Sequence, residues 1–135
     1  MQFPSAPWVE ALVKAINSDS QYARVAENWE GDLVFQIDPD QTGQGEPARV
    51  YLDLWHGTCR SGRMLADDDP QARQAKFRLT APRRNFLKVL GGELDPMQAM
   101  LTRRLKVDGD MGYLLRNIPI VLDFVRCARQ VPLDV

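Results

Sequence analysis

Apolar positions along this chain fall into two periods. Residues 4–17, PSAPWVEALVKAIN, put Trp8, Val9, Leu12, Val13 and Ile16 on one broad face, the spacing of an amphipathic helix. Ser5 is its expected N-cap and Pro7 lies in its first turn. NSDSQ breaks the pattern, and YARVAENW predicts a second short helix ending near Gly31. The period then drops to two. DLVFQID alternates Leu33, Phe35 and Ile37, and QAKFRLTA alternates Phe77 and Leu79. ARVYLDLWHG sets Val50, Leu52 and Leu54 inward against Tyr51, Asp53 and Trp55 on the other face. A polar loop rich in Gly and Pro, DPDQTGQGEP, separates the first two strands. A further short strand is expected within TCRSGRML, before an exposed hairpin turn at Asp67, Asp68 and Asp69.

The helical period returns in APRRNFLKVLGG, with Phe86, Leu87 and Leu90 on one face and Gly91 as the stop. Leu94, Met97, Met100 and Leu101 then recur at i, i+3, i+6 and i+7, with Asp95 as N-cap and Pro96 at the first helical position. RLKVDG reads as a last strand, after which Met111, Leu114 and Leu115 resume helical spacing. Pro119 predicts either a kink or two helices in the final segment, with Asn117 capping the second. The early strands are joined by stretches too short for a crossover helix, so they are expected to pair antiparallel. The last strand follows two helices and is free to rejoin the sheet anywhere. The predicted class is α+β, with one sheet face under helices and the other partly wet.

Composition changes this picture little. The 135 residues suit one domain that needs neither disulfides nor metal to hold a core. Net charge is −1, which gives no overall field toward nucleic acid, and no aromatics are interleaved with the basic residues as a base-stacking platform requires. The charge is uneven, however: residues 1–59 carry net −6 and residues 60–106 net +6. That basic middle is read as solvated faces, with contact to an anionic membrane surface or an acidic partner as the sharper alternative. Cys59 and Cys127 lie far apart without a motif, which suits free thiols in a reducing, cytoplasmic setting. No signal-peptide pattern and no apolar run of spanning length occurs.

No catalytic constellation emerges. His56 is the sole histidine, and H-x-x-C with Cys59 falls short of a zinc ligand set, so no metal or cofactor is expected. A Cys59–His56 nucleophilic pair would need contact and a third, orienting group. GTCRSG lacks the lysine-serine ending of a phosphate loop. What remains is an apolar inventory rich in methionine, a side chain that adapts to variable partners.

Residues 75–115 carry a more specific order: a strand, a helix ending in Leu90-Gly91-Gly92, then Asp95-Pro96-Met97-Gln98-Ala99-Met100, then Leu105-Lys106-Val107-Asp108-Gly109-Asp110. With NWEGDLVFQID and ARVYLDLWHGTC upstream, this resembles the sterol-carrier-protein type-two domain over nearly the whole chain. The resemblance implies a five-stranded, mostly antiparallel mixed sheet covered on one face by about five helices, with an apolar tunnel between the layers. It also implies non-catalytic binding and transfer of lipids such as fatty acids, acyl-CoA or sterol-like molecules. The expected wall is Trp8, Leu12, Phe35, Leu54, Phe86, Leu90, Met97, Met100, Leu101, Met111, Leu114, Leu115 and Phe124, with Arg83, Arg84, Arg103 and Arg104 as candidates for a head group. Arg103 and Arg104 depart from the small and polar residues expected before the last strand, which bears on the tunnel mouth. Two rival functions stand beside this: an accessory subunit presenting an apolar substrate to a separate enzyme, and a small interaction domain whose stripes close on themselves or form a homodimer.

Overall fold

A computed structural model describes residues 2–40 and 45–133. Part of the polar loop expected between the first two strands, residues 41–44, lies outside them. The chain forms α1 (Ala6–Asn17), α2 (Ser20–Val25), β1 (Glu30–Asp38), β2 (Ala48–Trp55) and β3 (Thr58–Leu65). There follow α3 (Gln71–Gln74), β4 (Phe77–Pro82), α4 (Arg83–Leu90), α5 (Pro96–Leu101), β5 (Lys106–Gly109), α6 (Met111–Arg116) and α7 (Ile118–Ala128). The five strands make one mixed sheet in the order β3-β2-β1-β4-β5.

β1, β2 and β3 pair antiparallel as expected, but β4 lies parallel to β1. The reason is the acidic run. It is no hairpin turn: the chain continues from it into α3 and crosses the sheet, reaching the free edge of β1 in β1's own direction. That crossing also covers part of the face expected to be wet. Val34, Tyr51 and Leu65 are buried there, with Ala72 and Ala75 packed on them. The burial raises the Tyr51 hydroxyl to about 12, assisted by its hydrogen bond to the Asp32 carboxylate at 3.0 Å.

The helices number seven among the described residues rather than about five, because α3 has no counterpart in the sequence pattern and Pro119 divides the last segment into α6 and α7. Asn117 does not cap the second of these through its side chain. Its amide donates instead to the Tyr113 carbonyl at 2.7 Å and closes α6. The caps expected at Ser5 and Asp95 are present, bonding the amides of Trp8 and Gln98. The second helix starts earlier than expected, behind Asp19, whose carboxylate accepts from the Tyr22 amide at 2.8 Å.

The main core lies between the sheet and the helices. α1 rests on β3 so closely that a Cβ at Gly62 would come within 2.6 Å of Val13 Cγ2. α7 is clamped to α2 by charge. Arg126 donates to Asp19 at 2.6 Å and to the buried Asp123 at 2.9 Å, and Gln21 donates to Asp123 at 2.7 Å. Asp19, Asp123 and Cys127 bring potential metal-ligating atoms within 4.8 Å of one another, but the Arg126 guanidinium already supplies the cation there.

Hydrogen bonds from Arg126 and then Tyr22 lower the Asp19 carboxyl from 3.8 to about 2. A carboxylate lowered on folding contributes stability that is complete above its unfolded value and lost as pH falls through its folded one. Asp19→Asn is therefore expected to melt below the parent at neutral pH. The gap should narrow as the parent's own clamp is protonated between about pH 4 and pH 2. Thermal melts across that range check it; a gap independent of pH contradicts it. No helix among the described residues is long and apolar enough to cross a membrane.

Candidate functional site

Alternation places one row of side chains from each strand beneath the helices. Leu33, Phe35 and Ile37 of β1 lie opposite Phe77, Leu79 and Ala81 of β4 in parallel register, and Leu33 and Phe35 lie opposite Leu52 and Val50 of β2. Above this row the layers do not close. A cavity of about 100 Å³ lies between them. One water needs roughly 10–15 Å³ of such space, and well-packed interiors hold few voids larger than a water. This one is several molecules large, too large for a packing defect.

Its floor is Leu33, Phe35, Ile37, Val50, Leu54, Leu79 and Ala81. Phe3, Trp8 of α1, Tyr22 of α2 and Trp29 before β1 also line it. The roof comes from α4 (Asn85, Phe86, Val89, Leu90), from α5 (Pro96, Ala99, Met100) with Leu105, and from α6 and α7 (Leu114, Ile120, Val121, Phe124, Val125, Ala128). No charged side chain lines it among the described residues, and Asn85 is the only amide. Phe35 stands at the centre, stacked on Phe124 at 5.9 Å and edge-on to Phe86 at 6.0 Å. The lining residues that remain half-buried include Leu90 on α4, Met100 on α5 and Val121, Phe124 and Val125 on α7. Arg129, at the C-cap of α7, donates to the Val89 carbonyl of α4 at 3.0 Å and ties two of these helices together.

Of the thirteen expected wall residues, Trp8, Phe35, Leu54, Phe86, Leu90, Met100, Leu114 and Phe124 line the cavity. The other five do not. Leu12 is fully buried within the core. On α5 the inward face is Pro96, Ala99 and Met100, so Met97 and Leu101 lie to its outer side, Leu101 at 78 % exposure. On α6 the Tyr113 hydroxyl accepts from the Glu30 amide at 2.8 Å, and its ring meets Trp29 edge-on at 5.1 Å. This anchor turns Leu114 inward and leaves Met111 and Leu115 exposed. The expected wall omitted Leu33, Ile37, Val50 and Leu79, which line the cavity and which strand alternation is the signal to find; nothing local marks Phe3, Tyr22 or Trp29.

The four arginines divide. Arg83 donates to the Phe3 carbonyl at 2.7 Å, and the Arg84 guanidinium donates to the Asp40 carbonyl at 2.9 Å, so both tie α4 to neighbouring backbone. Arg103 and Arg104 are exposed beyond α5, where the Arg104 carbonyl accepts from Asn85 at 2.9 Å.

His56 and Cys59 do not form a pair. His56 Nε2 lies 2.5 Å from Glu30 Oε2 on the surface, and the buried Cys59 thiol donates to the Ser61 carbonyl. Burial pushes the Cys59 and Cys127 thiols up to about 11. A rise of two units leaves roughly a hundredfold less thiolate at neutral pH. Alkylation by iodoacetamide near pH 8 is thus expected to run at least about 100-fold slower in the folded protein than in denaturant. Rapid labelling of the native chain would contradict that environment.

The model of the SCP-2 sterol transfer family matches residues 9–121. A crystal structure of sterol carrier protein 2 superposes with a TM-score of 0.86 at 28% identity, covering 97% of this chain and 100% of that one. The solution structure of a conserved Thermus thermophilus protein, TT1886, described as possibly a sterol carrier protein, gives 0.85 at 28% identity, over 99% and 92% of the two chains. The fold alone also recurs within the sec-alkylsulfatase Pisa1 of Pseudomonas sp., at a TM-score of 0.56 and 15% identity, over 84% of this chain and 15% of that one. No curated protein sequence is similar enough to count as a relative. The chain belongs to the SCP-2 sterol transfer family.

Proposed function

We propose that this protein binds long apolar lipids, of the fatty acid, acyl-CoA or sterol-like kind, in the cavity between sheet and helices and carries them without chemical change. The observation that carries this reading is an apolar cavity of about 100 Å³ roofed by α4, α5 and α7 in a chain of this family. Each methylene moved from water into such a wall contributes about 0.8 kcal/mol, so a long acyl chain needs little polar recognition. Apolar contact discriminates weakly between chains of similar size, and broad selectivity is the expected consequence. Arg103 and Arg104, exposed beside α5, are the head-group candidates we retain.

Organic-solvent extraction of the purified protein, followed by mass spectrometry, tests the reading together with displacement of a fluorescent fatty acid. Co-purified lipid and saturable displacement support it. A protein that yields no lipid and displaces nothing contradicts it and favours the interaction-domain alternative. The recurrence of the fold inside a much longer sulfatase chain favours one second reading, in which the cavity presents an apolar substrate to a separate enzyme. Recovery of one enzyme in a native pull-down would select it.

A further inference from the structure

Phe3 is the one lining residue that precedes the first helix. It belongs to a short arm ahead of α1, yet its side chain is buried, at 4 % exposure. Its ring meets Trp8 of α1 edge-on at 4.8 Å and Phe86 of α4 at 6.1 Å, so it bridges two helices of the wall. The arm itself is lightly held. Ser5, the cap of α1, donates to the Gln2 carbonyl at 2.5 Å. Among the described residues, the bond from Arg83 Nε to the Phe3 carbonyl, at 2.7 Å, is the one hydrogen bond that ties residues 2–4 to another element. The other lining residues outside helices and strands are fixed more firmly. Trp29 donates through its indole to the Gly31 carbonyl at 2.9 Å and stacks on Phe77 at 5.6 Å. Leu105 donates through its amide to the Ala99 carbonyl at 3.0 Å.

The closed cavity is small for a long lipid. At roughly 10–15 Å³ per water, about 100 Å³ takes roughly seven to ten water-sized groups. A methylene is about as large as a water, so an acyl chain of sixteen carbons needs part of the wall to move. We infer that Phe3 is the part that moves, a displaceable plug that makes this cavity discriminate ligands by length. A chain of eight carbons binds with the ring in place. A chain of sixteen drives it from between Trp8 and Phe86 and takes its space, gaining room for about four methylenes and a gap between α1 and α4 for the remainder. Releasing the ring into water gives up its apolar contacts, and only the added methylenes of a long chain offset that loss. The inference rests on the lipid-binding reading of the same cavity.

Displacement of a fluorescent fatty acid from the full chain by octanoate and by hexadecanoate tests this, with the probe's own affinity measured on each variant. Phe3→Ala leaves no ring to move, so the ratio of hexadecanoate to octanoate affinity should rise at least about tenfold. Arg83→Gln keeps every wall side chain and removes the tie on the arm. It should raise the same ratio about threefold to tenfold and leave octanoate binding unchanged. A direct view comes from parent protein labelled with para-fluorophenylalanine, in which the fluorine resonance missing from Phe3→Leu is that of Phe3. Hexadecanoate should move it to its position in denaturant, and octanoate should not. A ratio unchanged or lowered in Phe3→Ala overturns the inference; where that variant does not fold, the same result in Arg83→Gln does. A Phe3 resonance that keeps its position when hexadecanoate binds also overturns it. A parent that binds neither acid overturns the cavity reading, and the plug with it.

Discussion

Ala99→Phe is expected to weaken fatty-acid binding by about 100-fold and leave the fold standing. Ala99 is fully buried, and it lines the cavity from the inward face of α5. Its backbone is tied at both ends, with its amide donating to the Asp95 carbonyl at 2.9 Å and its carbonyl accepting from Leu105 at 3.0 Å. A phenyl ring projected from this position takes the place of about four ligand methylenes, worth about 3 kcal/mol. Overpacking a filled core costs about 1–3 kcal/mol, but here the ring enters existing space and gains apolar contact. The melting temperature should therefore stay within a few degrees of the parent while displacement titrations weaken. A stable variant that still binds tightly would show that lipid lies elsewhere.

Gly109→Ala is expected to destabilise the domain by about 3 kcal/mol, enough to lower the melting temperature by about 10 °C. Gly109 has φ +136, a conformation that L residues rarely adopt. It ends β5 directly opposite Phe77 of β4. A Cβ there would strike the Lys76 carbonyl oxygen and come within 3.1 Å of Phe77 Cα, both backbone atoms that cannot rotate away. The same turn delivers Asp110 to cap α6, whose Tyr113 then docks on Trp29 and β1. Loss of this turn should loosen α6 as well, seen as faster amide exchange from Tyr113 to Asn117. An unchanged melting temperature would contradict the account of this strand end.

Apart from α3, the helices and strands were legible in the sequence from local period and capping. The caps at Ser5 and Asp95, the apolar rows through Leu33, Phe35 and Ile37, and the break at Pro119 all rest on local chemistry. The parallel pairing of β4 with β1 was not legible, since it depends on where the connection from Asp67 to Lys76 crosses the sheet. α3, four residues long and with no buried side chain, has no period to detect. In its strand half the expected wall held only Phe35 and Leu54, although alternation fixes direction there and puts Leu33, Ile37, Val50 and Leu79 on the same face. It was misjudged on α5 and α6 because a six-residue helix can turn several ways. Pro96 and Ala99 set that rotation on α5, and the anchor of Tyr113 on Glu30 sets it on α6. Leu101 and Leu115, expected in the wall, are exposed instead.

Binding affinity across a series of saturated fatty acids of increasing length tests the central claim most directly. If the cavity takes the acyl chain, each added methylene should tighten binding about fourfold, the equivalent of about 0.8 kcal/mol, until the chain fills the space and the gain stops. An affinity that does not change with chain length would contradict it.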